Sequence, residues 1–148
     1  MRKPDMRKNG FTLLEVLVAM LVLSIGLIGL AGMMASTLRN NHSAYHRTQA
    51  TWLAYDIIDR MRANRTVALN NSYNISIGAT AAATEEDSPM VIQDLNAWKT
   101  ALSAALPGGD GSIAVVPATR AVTVVVQWND ARGTGGGAAQ QFRVDTQL

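Results

Sequence analysis

The sequence predicts an α+β fold: one long N-terminal helix, a second shorter helix, and a small antiparallel sheet near the C-terminus. Three observations carry this prediction. Residues 11–35 are apolar with a single ionisable exception. Residues 36–65 contain neither Pro nor Gly and repeat apolar residues at helical spacing. Beyond Gly111, apolar and polar residues alternate with the two-residue period of a strand. Helices first and strands last is the segregated order of an α+β layout.

The chain has 148 residues, with 13 Lys+Arg and 11 Asp+Glu, a net charge of +2. Arg2, Lys3, Arg7, Lys8 and Asp5 all precede Gly10. Without the first ten residues, nine basic and ten acidic groups remain, a net of −1. The basic character therefore belongs to the N-terminus. A nucleic-acid surface needs a basic footprint on the folded part, so nucleic acid is not an expected partner. There is no cysteine, so stability rests on packing without disulfide staples.

The first element is "FTLLEVLVAMLVLSIGLIGLAGMMA", residues 11–35. As a helix it spans about 36 Å, more than the ~30 Å hydrocarbon core of a bilayer. Basic residues precede it and no comparable cluster follows it directly, which places the N-terminus in the cytoplasm. The run is too long for a cleaved secretory signal, and "AGMMAS" is a poor small-residue cleavage site. A plain membrane anchor leaves Glu15 without a purpose, since a carboxylate at the bilayer centre costs about 2.5–3.5 kcal/mol on insertion scales. A cut between Gly10 and Phe11 supplies the missing partner. It exposes an α-amino group four residues before Glu15, and each charge then offsets the other's desolvation. Within one helix the two positions share a face. Between staggered helices, the amine of one chain can meet the Glu15 of its neighbour, which makes the carboxylate a register device for assembly.

The stretch "G-FTLLE", the short basic leader "MRKPDMRKNG" and the long apolar run together resemble the class III signal of type IV pilins and type II secretion pseudopilins. The resemblance implies a pilin-like fold and a specific processing scheme. A peptidase at the cytoplasmic face would cut after Gly10 and methylate the new N-terminal Phe11, and Glu15 would be the assembly glutamate. Residues 1–10 would be the leader, 11–35 the membrane and assembly half of the helix, and 36–148 a periplasmic head that includes the outer half of that helix. Gly26, Gly29 and Gly32 interrupt the apolar run at spacing three. They suit either close packing against neighbouring membrane helices or a helix that loosens on entering a filament, Gly costing about 1 kcal/mol against Ala. Many pilins place a proline near the position of Gly32, and this chain has none there.

Outward from residue 36 the helix is expected to continue to about Arg65. Leu38, Tyr45 and Trp52 recur every seven residues, and Leu53, Ile57 and Met61 extend the apolar stripe. Asp56 with Arg60, and Asp59 with Arg62, sit at helical contact spacings. A connecting loop follows, in which "YNISIG" reads as a short edge strand. Glu85, Glu86 and Asp87 form an acidic run, read as a solvated turn in preference to a cation site. Ser88 and Pro89 open a second helix, with Val91, Leu95, Trp98, Leu102 and Leu106 on one face, and "PGGDG" closes it. "SIAVVP", "AVTVVVQWN" and "QQFRVDTQL" read as strands. In the second, Val122, Val124, Val126 and Trp128 share a face; in the third, Phe142 and Val144 oppose Arg143 and Asp145. "DARGTGGGAA" reads as a flexible connection.

Little here suggests catalysis. His42 and His46 stand at i and i+4, which could share a metal, but no third ligand is evident and packed or solvent-facing histidines are the better reading. No nucleophile pattern or phosphate-binding glycine loop stands out. Trp52, Trp98 and Trp128 each fall in phase with an apolar stripe and are expected in the core. No enzyme activity and no cofactor are implied. The segments "LAYDIIDRMRAN", "DLNAWKTALSAALPGGDGSI" and "VTVVVQWND" further resemble minor pilins of type IV pili. That likeness implies partners: the prepilin peptidase, other minor pilins, the major pilin and an adhesin at the filament tip. The rival expectations are a type II secretion pseudopilin and a DNA-uptake pilin.

Overall fold

A computed structural model of the chain describes residues 10–81, 88–133 and 135–148. Residues 1–9 of the expected leader and the acidic run at 85–87 lie outside the described residues. The chain divides into two compact units, Met1–Leu38 and Arg39–Leu148. Helix α1, Leu13–Ala63, belongs in part to each.

In the first unit, α1 is unbroken through Gly26, Gly29 and Gly32, and a Cβ at any of them would meet no atom within 4 Å. Its apolar side chains are exposed from Phe11 to Leu38. Among the described residues α1 is the one helix long and apolar enough to cross a membrane.

The second unit is α+β. The outer half of α1 is followed by a single turn of helix, α2 (Arg65–Ala68), then α3 (Pro89–Ala105) and three strands, β1 (Asp110–Val116), β2 (Ala121–Trp128) and β3 (Gln140–Gln147). The strands are antiparallel in the order β1-β2-β3. Consecutive strands paired in sequence order need only local connections. The "YNISIG" stretch contributes a single bridge, Ile75 to Ile113, and no full strand.

One core holds this unit together. Alternation puts Val122, Val124, Val126 and Trp128 on the inner face of β2, while Phe142 and Val144 of β3 are half-buried beside them. The predicted face of α3 is buried in full, from Val91 to Leu106. α1 contributes Ala50, Ala54, Ile57, Ile58 and Met61. The two alanines bury no bulk and so allow close approach of the helix. Trp98 is fully buried, and its indole N–H donates to the Leu53 carbonyl of α1 at 2.9 Å, so its polar atom is satisfied as burial requires. Gly111 makes room for it: a Cβ there would stand 2.5 Å from the Trp98 ring.

Two expectations need correction, one for the outer half of α1 and one for the start of α3. Leu38, Tyr45 and Trp52 point outward, and Trp52 is 65% exposed. At 100° per residue they fall on the side of the helix opposite Ala54. The heptad spacing was real, but the stripe at 50, 54, 57 and 61 is the one that packs. Ser88 stands at the N-cap of α3 with extended dihedrals, yet its side chain makes no capping bond. Its carbonyl takes part, accepting from Val91 N–H at 2.9 Å.

Polar networks tie the elements together at the surface and, through Tyr73, beneath it. Arg60 pairs with Asp56 at 3.0 Å and with Asp94 of α3 at 3.2 Å. The Tyr73 hydroxyl donates to Asp94 at 2.8 Å, and burial pushes its pKa up to about 12. Lys99 pairs with Asp110. Burial opposes ionisation of Asp110, but the ammonium and the N–H groups of Gly78 and Gly111 outweigh it and hold the carboxyl below its ordinary value.

Candidate processing and assembly site

The start of α1 is built by Thr12. Its hydroxyl accepts from the Glu15 N–H at 3.2 Å and its carbonyl accepts from Val16 N–H at 3.3 Å. Thr12 is thus the N-cap, satisfying one of the helix's orphan donors. Thr12 and Glu15 stand in the T-x-x-E spacing of a capping box. This role was legible in the sequence and was missed there, because Glu15 drew attention to the charge across the cut and away from its own helix.

Glu15 sits in the first turn of α1, where a carboxylate complements the positive end of the helix dipole. It therefore has a local function as well as any intermolecular one. Gly10 and Phe11 precede the helix and are exposed, Phe11 by 84%. A peptidase can reach the bond between them without opening a helical turn. Phe11 and Glu15 line one shallow groove with Ala19 and Leu23, as i, i+4 spacing requires. An amine created at Phe11 would add positive charge at a helix end where the dipole already disfavours it, and Glu15 is the acidic side chain in that first turn. Gly26, Gly29 and Gly32 lie three to five turns further along the same helix, away from this cluster.

Residues 5–31 match the model of the prokaryotic N-terminal methylation motif. This chain carries a prokaryotic N-terminal methylation motif. The match takes in Gly10, Phe11, Glu15, Gly26 and Gly29 and ends just before Gly32. No curated protein and no solved structure matches the chain significantly.

The two histidines and the three tryptophans also have observed places. His42 and His46 have ring centroids 6.5 Å apart, and among the described residues no group of three His, Cys, Asp or Glu could hold a metal ion. Trp98 and Trp128 are in the core and Trp52 is not. The Trp128 indole nitrogen is buried without a hydrogen-bond partner among the described residues. The connection predicted to be flexible is organised around Asp130, which is 4% exposed. Its N–H donates to the Gly137 carbonyl at 2.9 Å, and its carbonyl accepts from Gly133 N–H at 2.8 Å. Gly136 lies so close that a Cβ there would collide with the Asp130 backbone. The glycines give the loop a tight wrap in place of freedom.

Proposed function

We propose that this chain is a pilin-like assembly subunit, cut after Gly10, N-methylated on Phe11 and registered in its assembly by Glu15. The observation that carries the reading is the methylation motif at residues 5–31 placed on a helix start whose cleavage bond is exposed and unstructured. The apolar half of α1 supports it. So large an unpartnered apolar surface is not tolerated in water, and it suits a bilayer before assembly and a bundle of like helices afterwards. The N-terminus would be cytoplasmic and residues 36–148 periplasmic. The chain would serve as a structural subunit without catalysis of its own.

The finer reading is a minor pilin of the PilV kind, joining other minor pilins in a priming complex at the tip of a type IV pilus. There it would precede the major pilin and support an adhesin, so that adhesion and twitching motility depend on it. The sequence segments at the end of α1, in α3 and in β2 are what support this choice. The methylation motif fits a type II secretion pseudopilin equally well, and that is the second reading.

Mass spectrometry of the chain recovered from cells tests the first level. The expected species begins at N-methylated Phe11; a chain that keeps its first ten residues would overturn the proposal. Deleting the gene tests the second level. Loss of surface pili supports the pilus reading, whereas loss of protein secretion with pili intact assigns the chain to the secretion machinery.

A further inference from the structure

The two edges of the sheet are finished differently. β1 is covered on its outer side: Ile75 and Ile113 exchange backbone hydrogen bonds at 3.0 and 2.9 Å, and the Val115 N–H donates to the Asn74 side chain at 2.8 Å. The residue just beyond β3 sets the phase of the other edge. Its N–H, that of Leu148, donates to the Arg120 carbonyl at 3.0 Å, one step past the Ala121–Gln147 pair. Bonded and non-bonded pairs alternate along an antiparallel ladder. The even-numbered residues of β3 therefore spend their backbone groups on β2, and Gln141, Arg143, Asp145 and Gln147 turn theirs outward. Among the described residues none of those outward groups makes a hydrogen bond. An open edge is a template for another strand, and proteins blunt it with Pro, Lys or a bulge. "QQFRVDTQ" has no Pro and no Lys, and it pairs with β2 without a bulge from Gln140 to Gln147. Its charges are balanced: the Arg143 and Asp145 side chains, 63% and 58% exposed, pair with each other at 2.8 Å on the outer face. On the core face Phe142 and Val144 are half-buried, whereas the β2 residues opposite them, Val126 and Val124, are fully covered.

We infer that the β3 edge docks a second copy of this chain, its β3 running antiparallel and centred on Val144, so that two three-stranded sheets join into one. Backbone phase restricts the register, because outward-bonding residues must stand opposite one another, odd number against odd number. Within that restriction, charge selects. Centring on Val144 sets Arg143 opposite the second copy's Asp145, and Asp145 opposite the second copy's Arg143. Opposed side chains stand about 4.5–5.5 Å apart at Cβ. The charges then form a checkerboard, each with an opposite charge beside it and another across the seam. Centring on Arg143 would set arginine against arginine, and centring on Asp145 carboxylate against carboxylate, both destabilising. On the core face the same register lays Val144 on its own copy and Phe142 on Thr146, which covers the half-buried side chains. A two-fold axis through one residue is the isologous geometry that closes at a dimer. The seam lies wholly within the unit Arg39–Leu148 and owes nothing to the apolar half of α1.

The test uses the full chain in an uncharged detergent. The chain has no cysteine, so Val144→Cys introduces the sole thiol. Cα atoms of a non-bonded pair stand about 4.5 Å apart, within disulfide reach, and oxidised glutathione should link two copies. Thr146→Cys is the control. Residue 146 faces 142 of the other copy, so its counterpart lies about 14 Å away along the strand, and its initial rate of cross-linking should be at least ~10-fold lower. Arg143→Asp or Asp145→Arg, each added to Val144→Cys, sets like charges across the seam and should slow cross-linking by ~10-fold. Mixing those two variants should restore the rate and yield the mixed dimer, identified by mass, because each supplies the charge the other lacks. The variant carrying both swaps keeps the charges matched and should link like the parent. Association through the apolar half of α1 has no such dependence on residues 143 and 145. Thermal unfolding of each variant reads the fold separately, and all should melt like the parent. No dimer at 144, equal rates at 144 and 146, rates indifferent to the single swaps, or a mixture that stays slow would each overturn the inference.

Discussion

From Leu13 to Leu38 the large apolar side chains of α1 all face outward, around the whole circumference. From Ala50 to Met61 the same helix buries Ala50, Ala54, Ile57, Ile58 and Met61 on one stripe and leaves Trp52 and Tyr55 outside. The first pattern has no polar side and the second does. A helix apolar all round is made for an apolar surrounding, whereas a one-sided helix is made for a boundary between a core and water. The difference teaches that composition alone tells where α1 leaves water, and phase alone tells what it packs on.

The largest effects expected in the first region are on processing and assembly. Gly10→Val should leave residues 1–10 attached, read as an intact N-terminus by mass spectrometry. Glu15→Val should still enter the membrane but fail to join filaments, with the thermal unfolding of the head unchanged. Normal incorporation of that variant would dissolve the distinction between an assembling half and a folding half. In the second region, Trp98→Ala should destabilise the head by about 3–5 kcal/mol, the range for a fully buried aromatic. Trp52→Ala should stay within about 0.5 kcal/mol of the parent, as surface substitutions do. Equal losses at the two tryptophans, measured by denaturant unfolding, would mean that the packed stripe of α1 has been misplaced.

Titration sharpens the comparison with smaller effects. Because the Tyr73 pKa is raised, its stabilising contribution is complete below pH 10 and is lost as pH climbs toward about 12. Tyr73→Phe should remove that part of the alkaline dependence, at a cost of about 1–2 kcal/mol at neutral pH for the lost bond to Asp94. Asp110 behaves oppositely. Its carboxyl is held below the ordinary value, so its contribution is present above about pH 4 and fades as pH falls through the lowered value. Asp110→Asn should flatten the acid limb of a stability–pH curve. Both dependences belong to the head, so a chain lacking either should still insert in a membrane unchanged.

Much of the head was legible in the sequence because its elements obey single periods. The two-residue alternation of 122, 124, 126 and 128 and the helical spacing of 91, 95, 98 and 102 each admit one solution, and each is the buried face observed. For the outer half of α1 the sequence reading joined Leu38, Tyr45 and Trp52 to Leu53, Ile57 and Met61 as one stripe. Ile57 and Met61 are buried as expected, but Leu38, Tyr45 and Trp52 are exposed, and packing takes Ala50 and Ala54 in their place, since a helix lies closer to its neighbours over small side chains. The loop around Asp130 was illegible for a different reason. Glycine-rich composition signals permitted dihedrals, and whether they are used for slack or for a close wrap depends on the buried carboxylate they enclose. At the N-terminus the methylation motif was evident from the sequence, while Thr12, the N-cap of α1, was overlooked although it stands between Phe11 and Glu15.

The Thr12 cap has a consequence for timing. Because regular structure starts only at Leu13, the Gly10–Phe11 bond proposed to be cut could be drawn into an extended protease groove while everything downstream stays wound. If the chain is cut there as proposed, trimming would subtract no turn from the stem, whose regular structure begins two residues further on.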